Sequence, residues 1–272
     1  MSEAHWQGSG DVYTLSWGGR PWTLRLDEPD PGLRLPSEQW SRTSLSLHGL
    51  GATGRFAAGM FTPATLVDVE HYRSRIQATF APPGWGGLLV RAAWSPSCAG
   101  AGVDLEVQAS ASSVGELRAV ELVVQSQWRR ATETDLPSAP DAIRSVAPRD
   151  ARSSALTYDG RETAASLQAL KTLGFLDNSR PRMVERDDMA PGALYVEMVQ
   201  PNDLSRQIQF EPSEAGSRPP SMAVQYALFG HDMEKGIVLR GRLRACWTNT
   251  ERAVDVAAFY QQFLSEPLPL GP

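Results

Sequence analysis

The sequence predicts a mostly β protein, a large antiparallel β-sandwich with one or two short packing helices, and three observations carry that reading. First, the stretch Met222 to Trp247 reads as two long alternating segments joined by a short polar turn containing His231, Asp232, Glu234 and Lys235. Second, short alternating segments recur along the chain, punctuated by Pro, Gly and Ser clusters at the spacing of antiparallel sheets. Third, helical periodicity surfaces in only two places. With 272 residues and 42% hydrophobic content, the chain is long enough for one large core, and a single domain over 1–272 is expected.

In chain order, strands are expected at Val12 to Trp17, Trp22 to Leu26, Thr65 to Glu70, Arg75 to Phe80, Leu88 to Trp94, Val103 to Ser110 and Leu117 to Gln125. In Val103 to Ser110, side chains alternate between Val103, Leu105, Val107, Ala109 and Asp104, Glu106, Gln108, Ser110, which predicts one buried and one wet face. The glycine-rich piece Gly49 to Gly54 lacks a strand-turn-helix context and reads as a turn. The segment 132–152, rich in Pro, Ser, Asp and Ala, reads as a long loop excursion. Thr163 to Thr172 is a short helix candidate stopped by Gly174. Near 250–264 a second packing helix is expected, with Val254, Ala257, Ala258, Phe259 and Phe263 near helical spacing and Pro267 ending it.

The C-terminal pair of strands, Met222 to Phe229 and Gly236 to Trp247, is predicted to form a hairpin. In its second strand Ile237, Leu239, Gly241, Leu243, Ala245 and Trp247 share one face, and Arg240, Arg242 and Arg244 share the other. Such an arginine row faces solvent or lines an anion-friendly cleft.

Charge and composition exclude several functions. A net charge of −5 gives no footprint for nucleic acid or an anionic membrane surface. No window approaches the roughly 20 apolar residues that span a bilayer, and the opening residues show no basic segment followed by an apolar run, so a cytoplasmic protein is expected. Lysine occurs only at Lys171 and Lys235 while arginine is abundant, a bias expected of a GC-rich bacterial genome. Cys98 and Cys246 are too few and too far apart for a disulfide framework or a thiolate site. His5, His48, His71 and His231 show no metal-ligand spacing, so neither a metal nor a cofactor is expected. Nucleotide loops, the Gly-x-Ser-x-Gly elbow and His-Glu-x-x-His are all missing.

Glu197, mid-strand between apolar residues in LYVEMVQPND, is the candidate base, with His231 or His71 as the candidate acid. Arg240 and Arg242 are candidates for orienting an anionic group, Tyr195 for contacting the ligand, and Trp85 in PPGWGG for an exposed platform under a sugar ring. If the strands carrying Glu197 and the arginines are neighbours, their polar faces form a single charged surface.

The succession RAAW (Arg91 to Trp94), VDLEVQASA (Val103 to Ala111), a strand through Glu121, YVEMVQPND and HDMEKGIVLRGRLR resembles the galactose mutarotase-like supersandwich family over about Trp40 to Trp247. The resemblance implies a large antiparallel sandwich that binds carbohydrate on a concave sheet. It also implies, for the aldose epimerases of that family, a histidine acid and a late glutamate base supported by arginine and aspartate. Glu197 matches that glutamate only as a late carboxylate on a strand, and the epimerases' asparagine-histidine segment has no counterpart here. Three functions follow as expectations: a carbohydrate epimerase, isomerase or lyase acting on a sugar or sugar acid; a non-catalytic carbohydrate-binding module; or a lipocalin-like β-barrel that binds an apolar ligand or acts as a biosynthetic cyclase. In the first two the partner is a small-molecule or oligosaccharide ligand.

Overall fold

The computed structural model describes residues 4–17, 20–35, 40–72, 74–97, 101–112, 117–130, 183–186, 193–210, 221–249 and 253–267. The expected excursion at 132–152, the helix at Thr163 to Thr172 and Cys98 lie outside them.

The described strands form two antiparallel sheets with open edges, a sandwich and not a closed barrel, which removes the lipocalin-like alternative. The first sheet takes β1 (Gln7–Ser9), β2 (Val12–Trp17), β3 (Arg20–Arg25), β4 (Gly32–Leu35), β5 (Trp40–Ala52), β6 (Arg55–Ala58), β11 (Leu117–Arg130), β14 (Leu204–Phe210) and β15 (Ser221–Met233). Its order is β1-β2-β3-β4-β5-β11-β15-β14, with β6 also on β5. The second takes β7 (Leu66–Tyr72), β8 (Arg75–Phe80), β9 (Leu88–Pro96), β10 (Ala101–Ala111), β12 (Met183–Arg186), β13 (Ala193–Val199) and β16 (Val238–Asn249), in the order β12-β13-β16-β10-β9-β8-β7.

Period-two patterning decides which side chains meet between the sheets. Leu15, Trp22, Leu24, Leu33, Leu47, Leu122, Val124 and Leu228 from the first sheet pack with Ile76, Val90, Trp94, Val103, Leu105, Val107 and Leu243 from the second in one buried cluster. Each such side chain contributes about 1.5–3 kcal/mol by leaving water. The helix α1 (Ala253–Ser265) makes a second, smaller core: its Tyr260 and Phe263 cover Val196, Met198 and Cys246 on the outer face of the second sheet.

Three expectations need correcting. β15 and β16 are not a hairpin: β15 pairs with β11 and β14, while β16 pairs with β10 and β13 in the other sheet. The turn between them crosses the sandwich. Alternation reports which face of a strand is apolar; it does not report which strand supplies the hydrogen bonds, and here both apolar faces are satisfied across the core. The face of β10 expected to be wet is also covered, with Asp104 6% and Glu106 3% exposed. Lastly, Trp85 is no exposed platform but part of the core at 3% exposure, with the Arg55 guanidinium 3.8 Å above its ring. Gly84, Gly86 and Gly87, all at positive φ, turn the loop back so that the indole folds inward.

Candidate functional site

On the outer face of the first sheet, two rows of polar side chains run across β4, β5, β11 and β15. Register sets Arg34 beside Thr43 and Thr43 beside Gln127, and in the next row Ser46 beside Gln125 and Gln125 beside Gln225. Neighbouring strands lie about 4.8 Å apart, so each row is a ladder of hydrogen-bonding groups at a spacing that suits a polyhydroxyl ring. The turn before β4 supplies a wall of Glu28, Pro29 and Asp30. Together Glu28, Pro29, Asp30, Arg34, Thr43, Ser46, Gln125 and Gln127 line a groove of about 280 Å³.

Some of this lining is fixed by its own bonds. Arg34 donates through Nη2 and Nε to Glu28 Oε2 at 2.8 and 3.2 Å. Gln225 Nε2 donates to Gln125 Oε1 at 2.8 Å, leaving the Gln125 NH2 as its donor end. Asp30, at φ 56, sets Oδ2 3.0 Å from His48 Nδ1. Other groups lack partners: Asp30 Oδ1, Arg34 Nη1 and Ser46 Oγ are buried atoms without a hydrogen bond. Buried polar atoms in folded proteins are almost always paired. One acceptor, one donor and one hydroxyl are left over among the residues of a single groove.

Local sequence explains the construction. From Thr43 to Ser46 β5 advances three residues while β11 goes back two, from Gln127 to Gln125. This is a β-bulge in which Ser44 and Leu45 both stand opposite Ser126, with Leu45 at φ 47. The bulge turns Thr43 and Ser46 to the same outer face, which plain alternation forbids. Gly32 lets β4 lie against it, because a Cβ there would sit 2.6 Å from Ser46 Cα.

The residues expected to form the site lie elsewhere. Glu197 and Tyr195 are fully buried between the sheets. Glu197 Oε1 accepts from Ser126 Oγ and Tyr195 Oη, each at 2.6 Å, with Ser44 Oγ 3.2 Å away, and Oε2 accepts from Tyr226 Oη at 2.7 Å. Ser44 and Tyr195 also share a hydrogen bond. Burial, and then the charge of Glu197, raise the Tyr195 phenol well above its ordinary pKa. The Arg42 guanidinium lies 4.8 Å from the Tyr195 ring centroid. This is an interior clasp between sheets, so Tyr195 offers no ligand contact.

The expected common surface of Glu197 with Arg240 and Arg242 does not form. β13 and β16 are neighbours, but Glu197 stands opposite Ala245 on the inner face, while Met198 stands opposite Arg244 on the outer one. The arginine row meets neither solvent nor a cleft at Arg242 and Arg244, which are 1% and 0% exposed. Arg242 donates to the carbonyl oxygens of Phe263, Glu266 and Pro267 at 2.6, 3.2 and 3.2 Å, closing the carbonyl end of α1 where a cation is favoured. Arg244 grips Asp104 through two bonds at 2.6 and 2.8 Å and also reaches Glu266. Arg240 is half-buried one row further on, opposite Gln108.

Among these groups Glu106 is perturbed: burial, then the charge of Asp104, pushes its carboxyl up to about 7, with Arg242 and Arg75 pulling the other way. Of the candidate acids, His71 is exposed on β7, five strands from β13 and so about 24 Å away at ordinary strand spacing, with its ring 5.2 Å from that of Tyr13. His231 is exposed near the end of β15, opposite Val120. Four hydroxyls and neither histidine surround the Glu197 carboxylate. Among the described residues, no group of three or more His, Cys, Asp or Glu side chains is placed to hold a metal, and no helix is long and apolar enough to cross a membrane.

Sequence reasoning missed Asp30, Arg34, Thr43, Ser46, Gln125 and Gln127. Two signals were present: the dense acidic, proline-rich turn DEPDPG at Asp27 to Gly32, and the Gln-x-Gln pair that shares one face of the strand after the apolar run Leu122 to Val124.

Fold and groove together define an antiparallel β-sandwich with a polar, ligand-sized depression on one sheet. Among solved structures, the chain is similar to the GalM/aldose epimerase homologue from C. elegans, at 8% identity and TM-score 0.43 over 92% of this chain and 99% of that one. It is similar, too, to a galactose mutarotase related enzyme from Lactobacillus acidophilus, at 10% identity and TM-score 0.42 over 91% and 98%. A third match is heparan sulfate lyase HepC from Pedobacter heparinus, at 7% identity and TM-score 0.43, where 92% of this chain spans 37% of that one. No family model matches the chain, and neither does any curated protein. The chemistry of the groove is therefore read from this chain's own residues.

Proposed function

We propose that the protein binds a neutral carbohydrate in the groove on its first sheet. One observation carries this reading: Thr43, Gln125 and Gln127, half-buried hydroxyl and amide side chains on neighbouring strands, line one depression together with Asp30 and Arg34. An acceptor beside a donor engages adjacent sugar hydroxyls, each of which both gives and takes a hydrogen bond. Charge sets the class. Glu28 and Asp30 outnumber Arg34, which is already paired with Glu28 at 2.8 Å, so an added sugar carboxylate meets repulsion that a neutral ring does not.

A second reading, that the protein is an epimerase, isomerase or lyase, is favoured by the Asp30–His48 pair. His48 Nδ1 holds one oxygen of a carboxylate whose other oxygen has no partner, the arrangement of an oriented proton acceptor. Nuclear magnetic resonance titration tests both readings. Glucose and galactose are expected to shift the side-chain amides of Gln125 and Gln127, and glucuronate to shift them less. Loss of anomer interconversion in Asp30→Asn would make the groove catalytic. Binding without interconversion leaves a binding protein, and no shift with any sugar removes the proposal.

A further inference from the structure

The Leu45 bulge decides the face on which Thr43 lies, and a left-handed conformation at a leucine costs about 1–2 kcal/mol, so something must hold it. The extra residue of a bulge loses its ladder partner. Here the Leu45 N–H donates instead to Ser126 Oγ at 3.0 Å. A hydroxyl has one proton, and that of Ser126 is committed to Glu197 Oε1 at 2.6 Å, so its lone pairs are what the Leu45 amide meets. The inserted Ser44 is turned inward, its Oγ hydrogen-bonded to Tyr195 and 3.2 Å from the same carboxylate oxygen.

We infer that Glu197 is a positioning residue for the groove: acting through Ser126 and Ser44, it fixes the Leu45 bulge and thereby presents Thr43 and Ser46, and not Ser44, to the ligand. The inference rests on the groove as the binding site. It gives the buried glutamate a role that needs no contact with substrate. A one-residue slip of β5 at this point would turn Ser44 outward and Thr43 inward, dismantling the row Arg34, Thr43, Gln127.

The test is amide hydrogen exchange at Leu45, measured against the slowest core amides so that global opening is subtracted. Ser126→Ala and Glu197→Ala are each expected to speed Leu45 exchange by about tenfold beyond the core, in keeping with the loss of one buried hydrogen bond. Glu197→Gln keeps an acceptor oxygen for Ser126 and is expected to restore protection. Tyr226→Phe removes a hydroxyl from the same carboxylate at the far oxygen, and should leave Leu45 within about twofold of wild type. Equal effects of Tyr226→Phe and Ser126→Ala, or no excess exchange at Leu45, would overturn the inference. If Glu197→Ala does not fold, Glu197→Asp, whose shorter side chain draws the carboxylate away from Ser126, takes its place, and Leu45 exchange within about twofold of wild type in that variant would overturn the inference. The exchange needs no sugar, so a groove that binds neither glucose nor galactose refutes the site while leaving this result to stand or fall separately.

Discussion

Glu106 offers a quantitative test of how the second sheet is built. It is 3% exposed, Oε2 has no partner, and Arg242 stands opposite it on β16. Folding raises its pKa from an ordinary 4.5 to about 7, chiefly by burial and then by Asp104. At about 1.4 kcal/mol per pKa unit, ionising it in the folded protein costs about 3 kcal/mol more than in the unfolded chain. Because the folded pKa is the higher one, the folded state holds the extra proton between pH 4.5 and about 7. The associated stability is complete below 4.5 and is lost as pH rises through 7. Glu106→Gln mimics the protonated form at every pH. Urea denaturation at pH 8 should therefore show the variant more stable by about 1–3 kcal/mol, the lower figure allowing for lost attraction to Arg242. At pH 5 the two proteins should differ by less than about 1 kcal/mol. A variant that is less stable at pH 8, or equally favoured at both pH values, would refute the reasoning.

Three further outcomes follow from packing and burial. Gly32→Ala places a methyl 2.5 Å from Ser46 Oγ and 2.6 Å from its Cα, so chemical denaturation should show a loss of about 1–3 kcal/mol, with weakened glucose and galactose binding. Arg244→Ala leaves Asp104 buried without its two-pronged partner, and calorimetry should show a loss of about 3–5 kcal/mol. The Cys246 thiol, pushed up to about 12 by burial, should react with a thiol reagent only on unfolding, as measured in a Cys98→Ser background; prompt labelling of the native protein would contradict the buried placement.

Most strands were legible because an alternating segment with one apolar face declares itself. Val12–Trp17 and Arg75–Phe80 have the expected limits, and the helix expected near 250–264 is found at Ala253–Ser265. What alternation could not give was partnership. It marked the apolar faces of β15 and β16 but not that those faces meet across a core. Nor could it rank polar faces. The arginine row of β16 read as facing solvent or a cleft and the acidic face of β10 as wet, yet the cross-strand pair Asp104 and Arg244 is buried.

The site was harder to read for a similar reason. Its polar rows depend on the bulge in β5, which inserts one residue and reverses the parity of everything before it. Ser44, outward by simple counting, reaches Glu197 inside. Thr43, inward by the same counting, faces the groove. Glu197 stands out in the sequence as a carboxylate among apolar residues. The four hydroxyls that receive it come from β5, β11, β13 and β15, and no local pattern predicts such a convergence.

The central claim is that the polar side chains lining the groove are there for a sugar's hydroxyls. A crystal structure of the protein soaked with galactose tests it most directly. The account predicts one ordered sugar ring in the groove, with hydroxyl oxygens about 3 Å from the Thr43 hydroxyl and the Gln125 and Gln127 side-chain amides. A ring bound elsewhere on the molecule, or a groove holding only water at saturating galactose, would contradict it.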